Sequence, residues 1–268
     1  MRWIRLAVHP LPNISEMNRL LAALMFFTRL PLWRICRVPV DSFKHLVEYW
    51  PFAGWLTGGV MAGTYLLMSE VFPPLAAVLL ALAARLLLTG ALHEDGLADF
   101  FDGFGGGGSD RQRILSIMKD SHIGSYGVIA LIVYFLLLTS LVSSLPADLA
   151  WRALLGFDVW NKFVASNLIN LLSYARKETE SKARVIYERM NLPMFLLAFA
   201  GGVCWLLFPD SIAVLWGGAF LSLVTFIGLV LLMKRRLQGY TGDCCGATFL
   251  LCELTSYAGL YLTNYFWH

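Results

Sequence analysis

Residues 89–103 read TGALHEDGLADFFDG and follow directly on an apolar run that begins near residue 73. The junction joins membrane-like sequence to four acidic residues: Glu94, Asp95, Asp99 and Asp102. If the helix of the apolar run continues through them, the i, i+4, i+7 spacing places the three aspartates on one helical face. Like charges on one face repel, and a helix C-terminus disfavours anions. The pattern therefore indicates a site that binds cations, with a solvated acidic loop as the alternative.

The composition indicates a membrane protein. The 268 residues are 58% hydrophobic and only 15% charged, and the mean hydropathy is +0.64. Soluble domains carry about a quarter charged residues. We therefore predict an all-α, polytopic integral membrane helical bundle that forms one membrane-embedded domain over residues 1–268. The net charge of +3 is too small to favour nucleic acid as a partner, and the first 20 residues lack a signal-peptide pattern.

The number of membrane spans follows from the apolar windows. A transmembrane helix needs about 20 mostly apolar residues. About seven windows meet this condition: 52–71, 73–93, 126–145, 150–172, 192–209, 211–233 and 247–266. Residues 17–33 are also apolar but are interrupted by Arg19, Arg29 and Pro31. For this segment we predict an interfacial or re-entrant helix.

The basic residues predict the orientation of these spans. Apart from Arg85, Arg152 and Lys162, all of the 21 lysines and arginines lie in loops that share one side of the membrane: 1–51, 94–125, 173–191 and 234–246. Cytoplasmic loops carry such an excess. The acidic stretch and any chemistry that it performs are therefore expected to face the cytosol.

Four charged residues fall inside the predicted spans. Asp158 and Lys162 are spaced i, i+4 with the acid first, which favours a mutual ion pair. Arg85 is expected to pair with Glu253 or with Asp158. Because an intramembrane carboxylate marks a functional site by default, Glu253 is also a candidate functional residue.

The acidic residues suit one metal in particular. Carboxylates that occur with few imidazoles and no thiols favour a hard ion such as Mg²⁺, which takes one or two protein carboxylates together with phosphate oxygens. The predicted ligands are Asp95, Asp99, Asp102, Asp120 and Asp243. Asp243 follows a Thr-Gly turn at a helix entrance, so a helix-capping role is the alternative for it.

Groups suited to phosphate follow the acids. Residues 105–108 are four glycines, which allow a close approach of the backbone to an anion, although a flexible linker is an equally good explanation. Basic side chains after the glycines would neutralise phosphate oxygens. The predicted substrate-binding residues are Gly105, Gly106, Arg111, Arg113, Lys119, Thr241 and Gly242.

Five segments together resemble one known family. They are FFTRLPL at 26–32, YWPFAGWLTGG at 49–59, TGALHEDGLADFFDG at 89–103, RQRILSIMKDSHIGSYG at 111–127 and GYTGDCCGATFLLCEL at 239–254. The chain is similar to the cobalamin synthase family, the adenosylcobinamide-GDP ribazoletransferases. The resemblance implies a Mg²⁺-dependent phosphotransferase of the bacterial cytoplasmic (inner) membrane. It would join adenosylcobinamide-GDP to α-ribazole or α-ribazole 5′-phosphate and release GMP, the last assembly step of cobalamin biosynthesis.

Together with the motifs, the resemblance leads to a hypothesis for the roles of the site residues. Asp95, Asp99, Asp102 and Asp120, with Asp243 as a further candidate, would surround one or two Mg²⁺ ions at the diphosphate while the 3′-hydroxyl of the ribazole attacks phosphorus. One aspartate, His93 or His122 would take the hydroxyl proton.

The sequence is also compatible with two other functions. One is a transporter of a corrinoid or another anionic solute, with the intramembrane charges along its path. The other is a phospholipid enzyme like the CDP-alcohol phosphotransferases, whose metal-binding DxxDG pattern resembles Asp99 to Gly103. The sequence leaves open whether the protein is a homo-oligomer.

Overall fold

The protein folds into a bundle of α-helices. The computed structural model describes residues 15–176, 186–207 and 211–267, and these contain helices and no strands. The predicted all-α class is therefore confirmed. The helices are α1 Glu16–Phe27, α2 Trp50–Ser69, α3 Pro74–Thr89, α4 Leu92–Gly106, α5 Arg111–Ile117, α6 Ser125–Ser143, α7 Ala147–Ser166, α8 Leu168–Leu171, α9 Leu192–Val203, α10 Ser211–Arg236 and α11 Gly242–Trp267.

Helices α7 and α11 form the centre of the bundle. Helix α2 packs along α7, α10 packs along α11, and α4 crosses the first half of α11. Helix α7 is buried over most of its length even though it carries Asp158, Asn161 and Lys162. Such polar residues are tolerated because the surrounding helices shield them from an apolar solvent.

The number of spans is not confirmed. Among the residues that the structure describes, two helical stretches are both long and apolar enough to cross a membrane, Ser125–Ser143 and Trp216–Arg236, and α3 with α4 would make a third if that bent pair is one span. The prediction of about seven spans also included windows that form interior helices. Packed polar residues lower the mean hydropathy of such helices, so these helices do not meet the same criterion. Helix α1 has 12 residues, too few to cross a bilayer, in agreement with an interfacial or re-entrant segment.

The acidic stretch does not continue the preceding helix, so that prediction is wrong. Helix α3 ends at Thr89, α4 begins at Leu92, and the axes differ by 91°. Gly90 and Ala91 make the corner with φ of 66° and 56°, left-handed values that favour glycine. Glu94 and Asp95 therefore lie in the first turn of a new helix. There the helix dipole stabilises anions, the reverse of the expected penalty.

A group of buried charged side chains joins four helices below this corner. The buried charge cluster consists of Arg85, Glu94, Asp158, Lys162 and Glu253. Arg85 donates a hydrogen bond to Glu253 at 2.6 Å and lies 3.6 Å from both Glu94 and Asp158. Lys162 is paired with Asp158. The predicted Asp158–Lys162 pair is confirmed, and Arg85 approaches both of its predicted partners.

Two uncharged side chains complete the hydrogen bonding of the cluster. Tyr134 donates to Glu253 at 2.8 Å and accepts from Arg85 at 3.0 Å. Thr57 donates to Asp158 at 2.7 Å and accepts from Lys162 at 3.0 Å. Helices α2, α3, α4, α6, α7 and α11 are thus connected through one network.

Replacing Arg85 tests what the buried charge cluster contributes to stability. Arg85→Met leaves three carboxylates without their shared cation, so we expect a loss of about 3–5 kcal/mol of unfolding free energy. Thermal unfolding in detergent measures it. Lys44→Met is the matched control, because Lys44 pairs with Asp41 at the surface and such pairs contribute about 0–1 kcal/mol. Equal losses in the two variants would contradict the assignment.

The corner between α3 and α4 gives a second stability test. In Gly90→Ala the new methyl group would meet the side chain of Arg29 at a left-handed φ, so we expect destabilisation by about 1–2 kcal/mol. Gly63→Ala is the control, since a Cβ there has no neighbour within 4 Å. That variant should be neutral or slightly more stable in the same melting experiment.

Candidate active site

A cavity opens where the first turns of α4 and α11 meet. It encloses about 930 Å³ of empty space, counting the part open to solvent. Its mouth carries the polar residues Asp95, Gly242, Asp243 and Arg176, and its buried floor is formed by His93, Lys162 and Phe249. Aromatic side chains make most of the walls: Phe26, Phe27, Trp50, Tyr174 and Tyr187.

Two glycines allow α4 and α11 to touch at this point. A Cβ on Gly96 would lie 3.0 Å from the carbonyl oxygen of Asp243, and one on Gly246 would lie 3.2 Å from that of His93. No larger residue fits without moving the backbone. The contact brings Asp95 and Asp243 to one mouth. It also brings together two helix N-termini, whose free N–H groups and dipoles attract anions such as phosphate.

The start of α11 is fixed by its own residues. Thr241 accepts a hydrogen bond from the backbone N–H of Cys244 at 3.3 Å, as a helix cap does. Its hydroxyl group lies 3.3 Å from the carboxylate of Asp243, and Arg176 lies 4.0 Å from that carboxylate. Of the predicted substrate-binding pair, Gly242 lines the mouth, whereas Thr241 is buried and caps the helix.

Asp102 has a structural environment away from the cavity. Its carboxylate is buried and accepts hydrogen bonds from the backbone N–H groups of Gly124 at 2.7 Å and Gly127 at 2.9 Å. These residues begin α6, so Asp102 anchors the N-terminus of that helix to α4. Asp99 is partly exposed and does not line the cavity.

Asp120 and His122 lie on an exposed loop before α6. Asp120 accepts from the backbone N–H of His122 at 3.0 Å and lies 2.7 Å from its ring Nδ1. These hydrogen bonds lower the pKa of Asp120. Neither residue lines the cavity, so of the two histidines considered as a base only His93 does.

The predicted phosphate-binding residues of 105–119 are also outside the cavity. Gly105 and Gly106 end α4, and Arg113 and Lys119 are exposed. Arg111 donates to the backbone carbonyls of Leu237 at 2.8 Å and Ala175 at 2.6 Å. Arg111 therefore ties α5 to the loops that flank the mouth.

The predicted metal ligands do not all lie at one place in the structure. Within the described ranges, no group of three or more His, Cys, Asp or Glu side chains is placed to hold a metal ion. Of the five predicted aspartates, Asp95 and Asp243 share the cavity. Two carboxylates fit Mg²⁺, since that ion commonly completes its octahedral shell with water and substrate phosphate oxygens.

The sequence reasoning missed most of the cavity lining. Phe26, Phe27 and Trp50 lie in segments 26–32 and 49–59, which carried the family resemblance, and Tyr174 and Tyr187 lie in the basic loop 173–191. A single sequence does not show that these residues face one another. Arg176 belongs to loop 173–191, for which the sequence predicts only a cytosolic position. Lys162 had been assigned a structural ion pair, and the structure gives it that pair and a place in the cavity floor.

Comparisons with known proteins agree with one another. The family model described as cobalamin-5-phosphate synthase matches residues 19–261. Proteins named adenosylcobinamide-GDP ribazoletransferase from Shewanella sp. (strain W3-18-1) and Shewanella amazonensis are 36% and 38% identical to the chain, over 93% and 92% of it and 96% of each relative. No solved structure matches. The chain therefore belongs to the cobalamin-5-phosphate synthase family.

Proposed function

We propose that this protein is an adenosylcobinamide-GDP ribazoletransferase. It joins adenosylcobinamide-GDP to α-ribazole or α-ribazole 5′-phosphate and releases GMP, which is the last assembly step of cobalamin. The observation that carries the proposal is the cavity itself. This chain belongs to the family, and two carboxylates and a buried arginine lie at the mouth of its aromatic-walled cavity.

The mouth suits the diphosphate of the donor. Arg176 presents a guanidinium group beside Asp243, and such a group donates paired hydrogen bonds to phosphate oxygens. The N-termini of α4 and α11 add N–H groups and positive dipole ends. When bound between Asp95 and Asp243, Mg²⁺ would neutralise charge on the diphosphate and on the departing GMP.

The bond changes follow from this placement. The ribose 3′-hydroxyl of the ribazole forms a new P–O bond to the phosphorus that carries cobinamide. The P–O bond to GMP breaks, and the hydroxyl proton passes to a carboxylate of the mouth. Positioning and electrostatics supply most of the rate in phosphoryl transfer, so the rigid α4–α11 crossing is well suited to the task.

The same placement supports a location for the reaction. Asp95, Arg176, Gly242 and Asp243 all fall within the sequence segments that the distribution of basic residues places on the cytosolic side. We therefore place the enzyme as a multi-pass protein of the bacterial cytoplasmic membrane whose active site opens to the cytosol.

The two alternative functions have less support. A transporter would need its intramembrane charges along an open path, but Arg85, Asp158, Lys162 and Glu253 are at most 1% exposed and pair with one another. The phospholipid-enzyme reading depended on a metal site around Asp99 and Asp102. Asp102 instead holds the start of α6.

The reaction itself is the direct test. Purified protein in detergent, given adenosylcobinamide-GDP, α-ribazole and Mg²⁺, should release GMP and form the joined corrinoid in equal amounts. Excess EDTA should stop the release, and added Mg²⁺ should restore it. Undiminished turnover in EDTA would refute the role of the metal, and failure to release GMP under any condition would refute the transferase activity.

Substitution of the aspartates separates catalysis from structure. Asp95→Asn and Asp243→Asn should each lower kcat/KM on the order of 100-fold, because each removes a ligand charge from the metal site. Asp102→Asn should lower the unfolding free energy by about 1–2 kcal/mol. The amide has one accepting oxygen, and its NH₂ group cannot accept a hydrogen bond from the second glycine N–H.

Turnover and thermal unfolding are measured on the same preparations of each variant. We expect Asp102→Asn to keep turnover within about tenfold of wild type per folded molecule. A 100-fold loss of turnover with unchanged stability in Asp102→Asn would place that residue at the chemistry instead.

A further inference from the structure

We infer that the buried end of the cavity is a slot for the base of the acceptor nucleoside, and that Trp50 and His93 recognise the unsubstituted ring nitrogen of that base. The inference rests on the proposed function and names the part of the substrate that enters the cavity. The donor's guanine is the competing occupant. The aromatic lining of the slot, its unpaired polar groups and the position of the carboxylates at the mouth argue for the acceptor base.

The walls of the slot are aromatic rings. His93 stacks on Phe27 with ring centroids 5.5 Å apart and an interplanar angle of 10°, and its centroid lies 4.6 Å from that of Phe249. Trp50 packs edge-on against Phe27 at 5.4 Å and against Tyr187 at 5.7 Å. Such walls favour a flat aromatic ligand, which gains area burial and stacking together.

Two polar side chains in the slot lack partners. Both ring nitrogens of His93 and the indole Nε1 of Trp50 are buried without a hydrogen-bond partner among the described residues, and the two side chains are 3% exposed. A buried donor without a partner is costly. Both side chains line the cavity, so a bound ligand can supply the missing acceptor.

The unpaired groups discriminate between the two bases. The indole is a donor only, and His93 offers at least one N–H. The dimethylbenzimidazole of α-ribazole is apolar apart from one ring nitrogen that accepts a hydrogen bond, and it has no N–H of its own. Guanine brings N–H groups on two adjacent positions that require acceptors, and the carboxylates of the cavity are at its mouth.

Placing the base in the slot also places the reacting atoms. Asp95 is two residues beyond His93 on α4, and Asp243 is at the start of the helix that carries Phe249. Both carboxylates lie at the mouth of the cavity whose floor His93 and Phe249 form, so a base bound at the floor would leave its ribose towards the mouth. The corrinoid, far larger than a nucleoside, stays outside with the diphosphate at the entrance.

Equilibrium binding of tritiated α-ribazole to the full chain in detergent tests the slot, alone and with GMP and Mg²⁺. His93→Phe and Trp50→Phe keep an aromatic ring and remove the hydrogen-bonding groups. Each should weaken α-ribazole binding about five- to tenfold, while GMP binding stays within about twofold of wild type. Trp55→Phe is the matched control, because its indole donates to the carbonyl of Gly201 outside the cavity lining. It should change neither affinity.

A ligand without the ring nitrogen makes the test specific. The α-riboside of dimethylindole replaces that nitrogen by C–H. It should bind wild type about five- to tenfold more weakly than α-ribazole, and the His93→Phe/Trp50→Phe double variant, which keeps neither donor, should bind the two ligands equally. Weakened GMP binding with unchanged α-ribazole binding would assign the slot to guanine and overturn the inference.

Two further outcomes would also overturn it: no α-ribazole binding under either condition, or discrimination of the two ligands retained in the double variant. Because these measurements do not need turnover, they remain decisive if GMP release fails. That failure would count against the proposed function alone.

Discussion

The close crossing of α4 and α11 is the constraint on which the site depends. Gly96 and Gly246 leave no space for a side chain between the two backbones, so the first turns of both helices are held together. One contact thus assembles two carboxylates, two helix N-termini and the floor of the cavity. A side chain at either glycine would have to push the two backbones apart, and with them Asp95 and Asp243.

The corner at Gly90 places the acidic residues at the N-terminus of a helix. Had α3 continued straight, the acidic stretch would have followed a helix C-terminus, where its charges are disfavoured. The turn of 91° instead starts a new helix, so the negative charges stand where the dipole stabilises them. The same N-terminus attracts phosphate. The N-terminus of α4 therefore carries carboxylates and also attracts an anionic substrate. A divalent cation at this point would compensate the negative charge of both.

The sequence predicted what local patterns determine. The all-α class, the Asp158–Lys162 pair and the two partners of Arg85 follow from apolar windows, i, i+4 spacing and the scarcity of intramembrane charges. The corner did not follow, since a glycine within an apolar run has the same local pattern whether its φ is helical or left-handed. The hydrogen bonds of Asp102 did not follow for a related reason. Whether a carboxylate binds metal or caps another helix depends on where α6 begins in space, and spacing along α4 holds no information about that.

The buried charge cluster links stability to the direction of the catalytic side chains. Glu94 lies 3.6 Å from Arg85 in the interior, and its neighbour Asp95 is displaced by about 100° around the helix because an α-helix has 3.6 residues per turn. Holding Glu94 inward therefore turns Asp95 towards the mouth. Lys162 belongs to the same cluster and reaches the floor of the cavity, where its ammonium group lies 4.1 Å from the centre of the Phe249 ring. Charges that are expensive to bury in a membrane protein thus fix the rotation of α4 and the base of the cavity together, which explains why they lie directly beneath the site.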